Sequence, residues 1–555
     1  MPQGAGLTDE VLDSVFGAAE KGAGDLAEIT VRQVAAAEAL AGLQFDTKRR
    51  RQMLKNLGEA REGYKALRAQ AIGFDEGPAE VFDPRLPGMA FDMAQRPLCL
   101  SASSAPPLPG DDESIAFAPL TWLSRWIRER ALSSERLTGI YLDRLERYAP
   151  ALLCAPVIME RQALRAARGA DAEIAAGNYR GPLHGIPWGA KDLLDTKGVP
   201  TQWGAEPYLG RIPKRDATVV ERLNAAGAVL VAKLSLGALA MGDVWNGGMT
   251  RNPFDLEQGA SGSSAGSASA VAAGLVAFAI GSETLGSIVS PCTRCGVTGL
   301  RPTFGRVPRG GAMPLAWSMD KLGPIARGVE DTALVLQAIA GYDPAAAKAD
   351  PALVDMPFNY DGGASLAGLR IGYDAGEFKR DEHVLDRAAR TLLQGLGLEL
   401  VAVKLPAVPM RPLFPALMVE AAASFDELTR SGRDALLRRQ SDDAWPNGFR
   451  AARMVPAVEY VQMRRLRRRA MDGMRDLYEK NDLAAFLSPA SLGKMLPLSN
   501  FTGHPSLTLR TGFSDDGHPH AVTLTGRLYD EGTLLRIGVA LERAADAWHA
   551  RPALP

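Results

Sequence analysis

Three short segments carry residue types that could together break an acyl bond. Gly281-Ser-Glu-Thr-Leu-Gly-Ser-Ile-Val-Ser-Pro291 sets Ser287 after a glycine, where a loop can present a hydroxyl among several backbone N–H groups. Acyl transfer needs that pairing of a nucleophile with donors for the developing oxyanion. Gly259-Ala-Ser-Gly-Ser-Ser-Ala-Gly-Ser-Ala-Ser-Ala-Val-Ala-Ala-Gly274 runs directly into an apolar stretch, so it reads as buried and not as a flexible linker. Glycines in a buried setting mean close backbone approach, and buried hydroxyls need partners. Gly181-Pro-Leu-His-Gly-Ile-Pro-Trp-Gly-Ala-Lys-Asp192 ends an apolar run on Lys191. A desolvated lysine loses proton affinity and can serve as a base near neutral pH. Moving it from about 10.4 to about 7–8 takes roughly 3–5 kcal/mol of differential solvation. In an extended chain Asp192 points to the opposite face, so it does not neutralise Lys191 directly. Each segment alone also has a plain structural reading: a Gly-x-Ser turn, a small-residue helix packed on a neighbour, and a lysine reaching the surface.

Other chemistries find little support. Of the cysteines Cys99, Cys154, Cys292 and Cys295, the last two form a CxxC. Zinc needs four ligands, and neither a second CxxC nor a paired-histidine motif is present, so these read as packed thiols. No metal or cofactor is expected. With 63 basic and 64 acidic residues the net charge is −1, which offers nothing to nucleic acid or an acidic membrane surface. The most apolar stretch, 265–281, is too short and too rich in glycine, serine and alanine to span a bilayer. The first ten residues lack a basic region followed by an apolar run, which points to a cytoplasmic location.

The elements that must hold these residues form an α/β pattern. Ala228-Val-Leu-Val-Ala, Leu369-Arg-Ile-Gly-Tyr and Ala521-Val-Thr-Leu-Thr read as strands, and Ser134–Tyr148 as an amphipathic helix. Strands alternate with helices, which predicts a large sheet with helices on both faces. Residues 1–100 read as a helical appendage. Within it, Thr30 caps a helix whose apolar stripe Val31, Val34, Ala35 is interrupted by Glu38, and Arg49-Arg50-Arg51 reads as a solvated face. Residues 101–114, Ser-Ala-Ser-Ser-Ala-Pro-Pro-Leu-Pro-Gly-Asp-Asp-Glu-Ser, form a linker by composition, leaving 115–555 as the catalytic domain. A helix near 455–480 carries Arg464, Arg465, Arg467, Arg468 and Arg469, read as an outer face balanced by nearby acids.

Taken in order, the three segments closely resemble the amidase signature family. Lys191 matches the lysine of its Lys-Asp strand, Ser263 the first hydroxyl of its Ser-Ser pair, and Ser287 the serine of its Gly-Ser loop. Ser263 and Ser287 lie 24 residues apart, the family spacing; Ser264 would be one residue short. Gly299–Pro314, Asp320–Asp331, His504–Arg510 and Gly526–Leu535 resemble the family's downstream blocks. The resemblance implies a large mixed β-sheet between helical layers, with the family's cis peptide bond at Gly262–Ser263. It also implies hydrolysis of a carboxylic amide through a seryl acyl-enzyme on Ser287. Lys191 would accept the proton through Ser263, and the N–H groups of Thr284, Leu285, Gly286 and Ser287 would hold the oxyanion. No metal or cofactor is implied.

Three positions depart from the family pattern. Leu285 stands where a glycine is usual, which backbone donors tolerate only if its φ is negative. Glu283 replaces an aspartate, and Val289 the arginine after Ser-Ile, so Glu283 needs another partner or must be protonated. The expected partner is a small, uncharged, partly apolar amide, with no nucleic acid or membrane, and a homodimer as the candidate assembly. Three alternatives stay open: a carbamate or ester hydrolase, the amidase subunit of a tRNA-dependent amidotransferase, and a non-catalytic binding protein on the same scaffold.

Overall fold

The computed structural model describes residues 28–70, 72–101, 105–380, 384–489 and 493–555. The N-terminal segment read above for a leader, and residues 102–104 of the linker, lie outside the described residues. Contacts divide the chain into two compact units, Met1–Glu76 with Phe414–Arg464, and Gly77–Leu413 with Arg465–Pro555. This grouping cuts across the linear division drawn from composition. The apolar side chains in 77–100 are the reason: Phe82 and Leu86 are buried in one cluster with Phe304, and Cys99 bridges Asp361.

In the smaller unit, α1 (Val31–Ala41) starts on Thr30, whose side chain accepts from Gln33 N in a capping box. It is followed by α2 (Thr47–Arg68). Glu38 does not merely interrupt the stripe of α1. It is buried and accepts hydrogen bonds from Arg50 Nε at 3.0 Å and Phe45 N at 3.1 Å. Arg50 is therefore turned inward, unlike the solvated face expected of Arg49–Arg51. Phe74, Phe425, Phe449 and Trp445 form a chain of ring contacts, with Trp445 and Phe449 stacked at 5.0 Å.

The larger unit is built on a mixed sheet of eleven strands among the described residues. They are β1 (Val157–Ile158), β2 (Pro187–Lys191), β3 (Val229–Leu234), β4 (Phe278–Glu283), β5 (Thr298–Arg301), β6 (Lys321–Ala326), β7 (Arg370–Tyr373), β8 (Glu399–Ala402), β9 (Leu483–Ser488), β10 (Ser506–Phe513) and β11 (Pro519–Gly526). Their order across the sheet is β1-β3-β2-β4-β6-β5-β10-β11-β9-β7-β8. The α/β class with a large mixed sheet and flanking helices is as expected. β2 lies between β3 and β4, parallel to both, and every residue of β2 and β3 is buried. A strand enclosed in that way reads as a continuous apolar run, which is why Ile186-Pro-Trp-Gly-Ala can end on a buried lysine. Gly189 is required there, since a Cβ would sit 2.3 Å from Leu234 Cδ1.

Helix α3 (Ser134–Leu152) buries Leu137, Tyr141, Leu145, Ala149 and Leu152 along one stripe. Helix α4 (Ala265–Ala272) is buried on every side. Its hydroxyls find carbonyls, Ser267 on Ile280 O at 3.2 Å and Ser269 on Arg251 O at 2.9 Å. Two further helices matter below, α5 (Val289–Cys295) and α7 (Glu531–Ala545), the latter packed on β10 and β11. Between them runs α6 (Ala457–Lys480), the arginine-rich helix. Arg467 departs from the outer-face reading: it is buried and donates to Phe501 O and to Ser318 Oγ at 2.7 Å. Cys292 and Cys295 are packed in the core with Ile288 and Val297. Burial pushes the Cys292 thiol well up from its ordinary value, the setting of an inert packed thiol. Among the described residues no group of His, Cys, Asp and Glu could hold a metal, and no helix is long and apolar enough to cross a membrane.

Candidate active site

The C-terminal ends of β2 and β4, with the turn into α4, bring the three sequence segments together. Lys191 ends β2 and is fully buried. Its Nζ lies 2.9 Å from Ser263 Oγ, 2.9 Å from Ser264 Oγ and 2.8 Å from Ser282 Oγ. Asp192, its neighbour, points away as expected and sits 3.7 Å from Lys233 on β3. Burial holds the Lys191 ammonium well below the usual lysine range, opposed by the negative charges of Asp320 and Glu283.

Of the three serines beside Lys191, the adjacent Ser263 and Ser264 are not equivalent. Ser264 Oγ donates to Ser282 O at 3.1 Å and accepts from Ser282 N at 3.1 Å. A hydroxyl has one proton, so that of Ser264 is committed to a carbonyl. Ser263 Oγ meets Lys191 and no other protein partner among the described residues, which leaves its proton available to the amine. The Gly262–Ser263 peptide is cis. Gly262 lies against the 242 carbonyl, where a Cβ would come within 1.8 Å of its oxygen.

Ser287 is 8% exposed and lies in the turn between β4 and α5. Its carbonyl accepts from Ser264 N at 3.1 Å, tying the two serine segments together. Leu285 does not have a positive φ, so the side chain there is unstrained; Gly286, at φ 85, takes the left-handed position instead. Across Thr284, Leu285, Gly286 and Ser287 the backbone N–H groups meet no acceptor among the described residues. Four successive unspent donors are rare in a buried loop and are suited to receiving negative charge.

Glu283 fixes this loop from behind. Its Oε2 accepts from Ile288 N at 2.8 Å and Val289 N at 3.0 Å, spanning the turn. Oε1 accepts from Arg301 at 2.6 Å and Asn500 Nδ2 at 2.8 Å. The missing arginine at 289 is therefore replaced by one from β5. Despite full burial, Arg301 and Lys321 bring the Glu283 carboxyl down to about 2, so it is ionised. On the other side, Thr284 Oγ1 donates to Asp320 Oδ1 at 2.5 Å, and Asp320 also accepts from Leu315 N and Ala316 N. Burial nonetheless raises the Asp320 carboxyl.

All the residues singled out from sequence thus lie in one place. Ser282, Asp320, Arg301 and Asn500 were missed as contributors. Ser282 and Asp320 lie inside quoted motif blocks and could have been found there, whereas Asn500 sits in a helix with no local signal.

Comparison with known proteins gives the same placement. The family model described as Amidase matches residues 136–535. The chain is 36% identical over 473 residues to a glutamyl-tRNA(Gln) amidotransferase subunit of Roseiflexus castenholzii, covering 76% of this chain and 94% of the relative. It is 34% identical to the same-named protein of Moorella thermoacetica, over 78% of this chain and 97% of that one. Among solved structures, the peptide amidase of Stenotrophomonas maltophilia superposes with a TM-score of 0.70 at 31% identity, covering 79% of this chain and 98% of that one.

Proposed function

Because this chain belongs to the amidase signature family and is an amide-hydrolysing enzyme, we propose that Ser287 is its nucleophile, with Ser263 and Lys191 as the proton relay. The observation that carries this is the 2.9 Å contact of the buried Lys191 amine with Ser263, whose proton, unlike that of the adjacent Ser264, is not committed to a carbonyl. Ser287 attacks the amide carbonyl as its proton passes through Ser263 to Lys191 Nζ. The tetrahedral oxyanion is received by the unspent N–H groups of residues 284–287. The relay returns the proton to the leaving nitrogen, the C–N bond breaks, and the acyl-enzyme forms. Water, deprotonated by the same relay, then releases the acid.

We read the substrate as a small, uncharged, partly apolar amide, and the enzyme as a cytoplasmic one acting without a nucleic acid. The names of its curated relatives favour a second reading, in which the chain supplies ammonia to partner proteins. The helices this chain carries ahead of the family match, and Leu285 in its altered serine loop, support the free-standing enzyme. Hydrolysis of an aryl-amide panel by wild type, Ser287→Ala, Ser263→Ala and Lys191→Ala tests the assignment. Fluorophosphonate labelling that is abolished in Ser287→Ala and slowed in Ser263→Ala and Lys191→Ala supports it; equal turnover by wild type and Ser287→Ala overturns it. Glutamine as the sole productive substrate would favour the second reading.

A further inference from the structure

A cleft of about 750 Å³ opens in the larger unit, and its walls include none of Lys191, Ser263 and Ser287. The volume is that of a small-molecule site. One wall is the extended run 89–99, and another is the start of α7. Met356, Leu528 and Tyr529, with Met89 and Phe91 packed against them, give it an apolar patch. Four arginines and four carboxylates line the rest, among them Arg527, Arg536, Glu479 and Asp530. Equal numbers of opposite charges select for neither an anion nor a cation, so the occupant is neutral overall.

The polar feature that specifies more is His504, 4% exposed and part of the cleft wall. Thr502 Oγ1 donates its single proton to Leu498 O at 2.8 Å. Its 2.8 Å contact with His504 Nδ1 therefore has the imidazole as donor. That fixes the tautomer: Nδ1 carries the hydrogen and Nε2 is a bare acceptor. Nε2 has no protein donor among the described residues. Tyr478 stacks on the ring at 5.5 Å with its own hydroxyl spent on Thr525 O, so it cannot serve. Burial lowers the imidazole to about 3, so it stays a neutral acceptor. An unspent acceptor on a residue of the cleft wall is placed to take a donor from the occupant.

We propose that this cleft is a second binding site, for an uncharged, partly apolar molecule that donates an N–H to His504 Nε2: a small amide or short peptide. The apolar patch takes its side chain, and the arginine side chains can meet its carbonyl oxygens. The site is independent of the catalytic assignment.

Cys99 provides the readout, as the exposed thiol among four cysteines and a residue of the cleft wall. Its reaction with a disulfide reagent is followed in full-length Ser287→Ala while N-acetylphenylalaninamide is titrated. Occupancy should slow the reaction saturably, about tenfold at ten times the Kd. His504→Phe, which retains a ring against Tyr478 but no acceptor, should weaken protection about tenfold or more. Ala364→Trp, which fills the cleft from its rim, should abolish protection while leaving amide hydrolysis of the otherwise wild-type enzyme intact. Absence of protection up to the probe's solubility would overturn the proposal and assign Nε2 to solvent. So would protection that is unchanged in both cleft variants, since the probe would then act elsewhere.

Discussion

Arg301 holds its guanidinium 2.6 Å from Glu283 Oε1 at a point where neither side chain has any exposed surface. The pair stands directly behind the loop that presents Ser287, because the other Glu283 oxygen binds the amides of Ile288 and Val289. Removing one partner strands a buried charge. Arg301→Ala should cost about 3–5 kcal/mol of stability in a denaturant melt. Arg301→Lys should be milder but still defective, since one ammonium cannot also reach both Ser499 and the His504 carbonyl. The Glu283 carboxyl is depressed to about 2 from 4.5. A depressed acid contributes its full stability above about 4.5 and loses it as pH falls toward 2. Acid melts of wild type beside Glu283→Gln should therefore converge at low pH.

The single proton of Ser264 separates it from Ser263. With that proton on Ser282 O, Ser264 can hold Lys191 but cannot relay for it. Ser263→Ala should lower kcat by about 10²-fold or more, whereas Ser264→Ala should lower it by roughly tenfold or less. Single-turnover acylation of the two variants compares them directly, and equal losses would mean that the relay is misassigned.

The acid limb of the pH–rate profile should report Lys191. A base must be neutral, so kcat/KM rises as pH climbs through the lysine's depressed pKa. The Asp320 charge raises that pKa. Asp320→Asn keeps an acceptor for Thr284 but removes the charge, so the limb should move to lower pH. A shift to higher pH would show that the limb belongs to another group.

Cysteine chemistry should distinguish packed thiols from a redox or metal pair. In the native protein Cys99 alone should react readily with a thiol reagent, and Cys154, Cys292 and Cys295 should appear only on unfolding. Chelators should leave the thermal melt unchanged.

What the sequence made legible follows from what each signal encodes. The strands of the sheet centre announce themselves because enclosure on both faces demands unbroken apolar runs, as around Trp188 and Val231. The lysine and serines were readable because their spacing is linked across three segments. Arg467 and Arg50 were misread because burial of a cation depends on carboxylates and carbonyls distant in sequence, here Phe501 O and Glu38. A charge run looks the same whether its face meets water or a partner. The loss of arginine at 289 was visible, but its replacement by Arg301 was not, since only strand order places β5 within reach of Glu283.

The four unspent amides of residues 284–287 cannot tell a fleeting tetrahedral oxygen from a permanent one. A carboxylic acid leaving the site is ionised at neutral pH and offers the same charge to the same donors. The acid product should thus linger where the departing amine does not, and should inhibit competitively while the amine has little effect. Turnover on concentrated substrate would then slow as acid accumulates, well before substrate is exhausted, and the enzyme's own output would act as its brake.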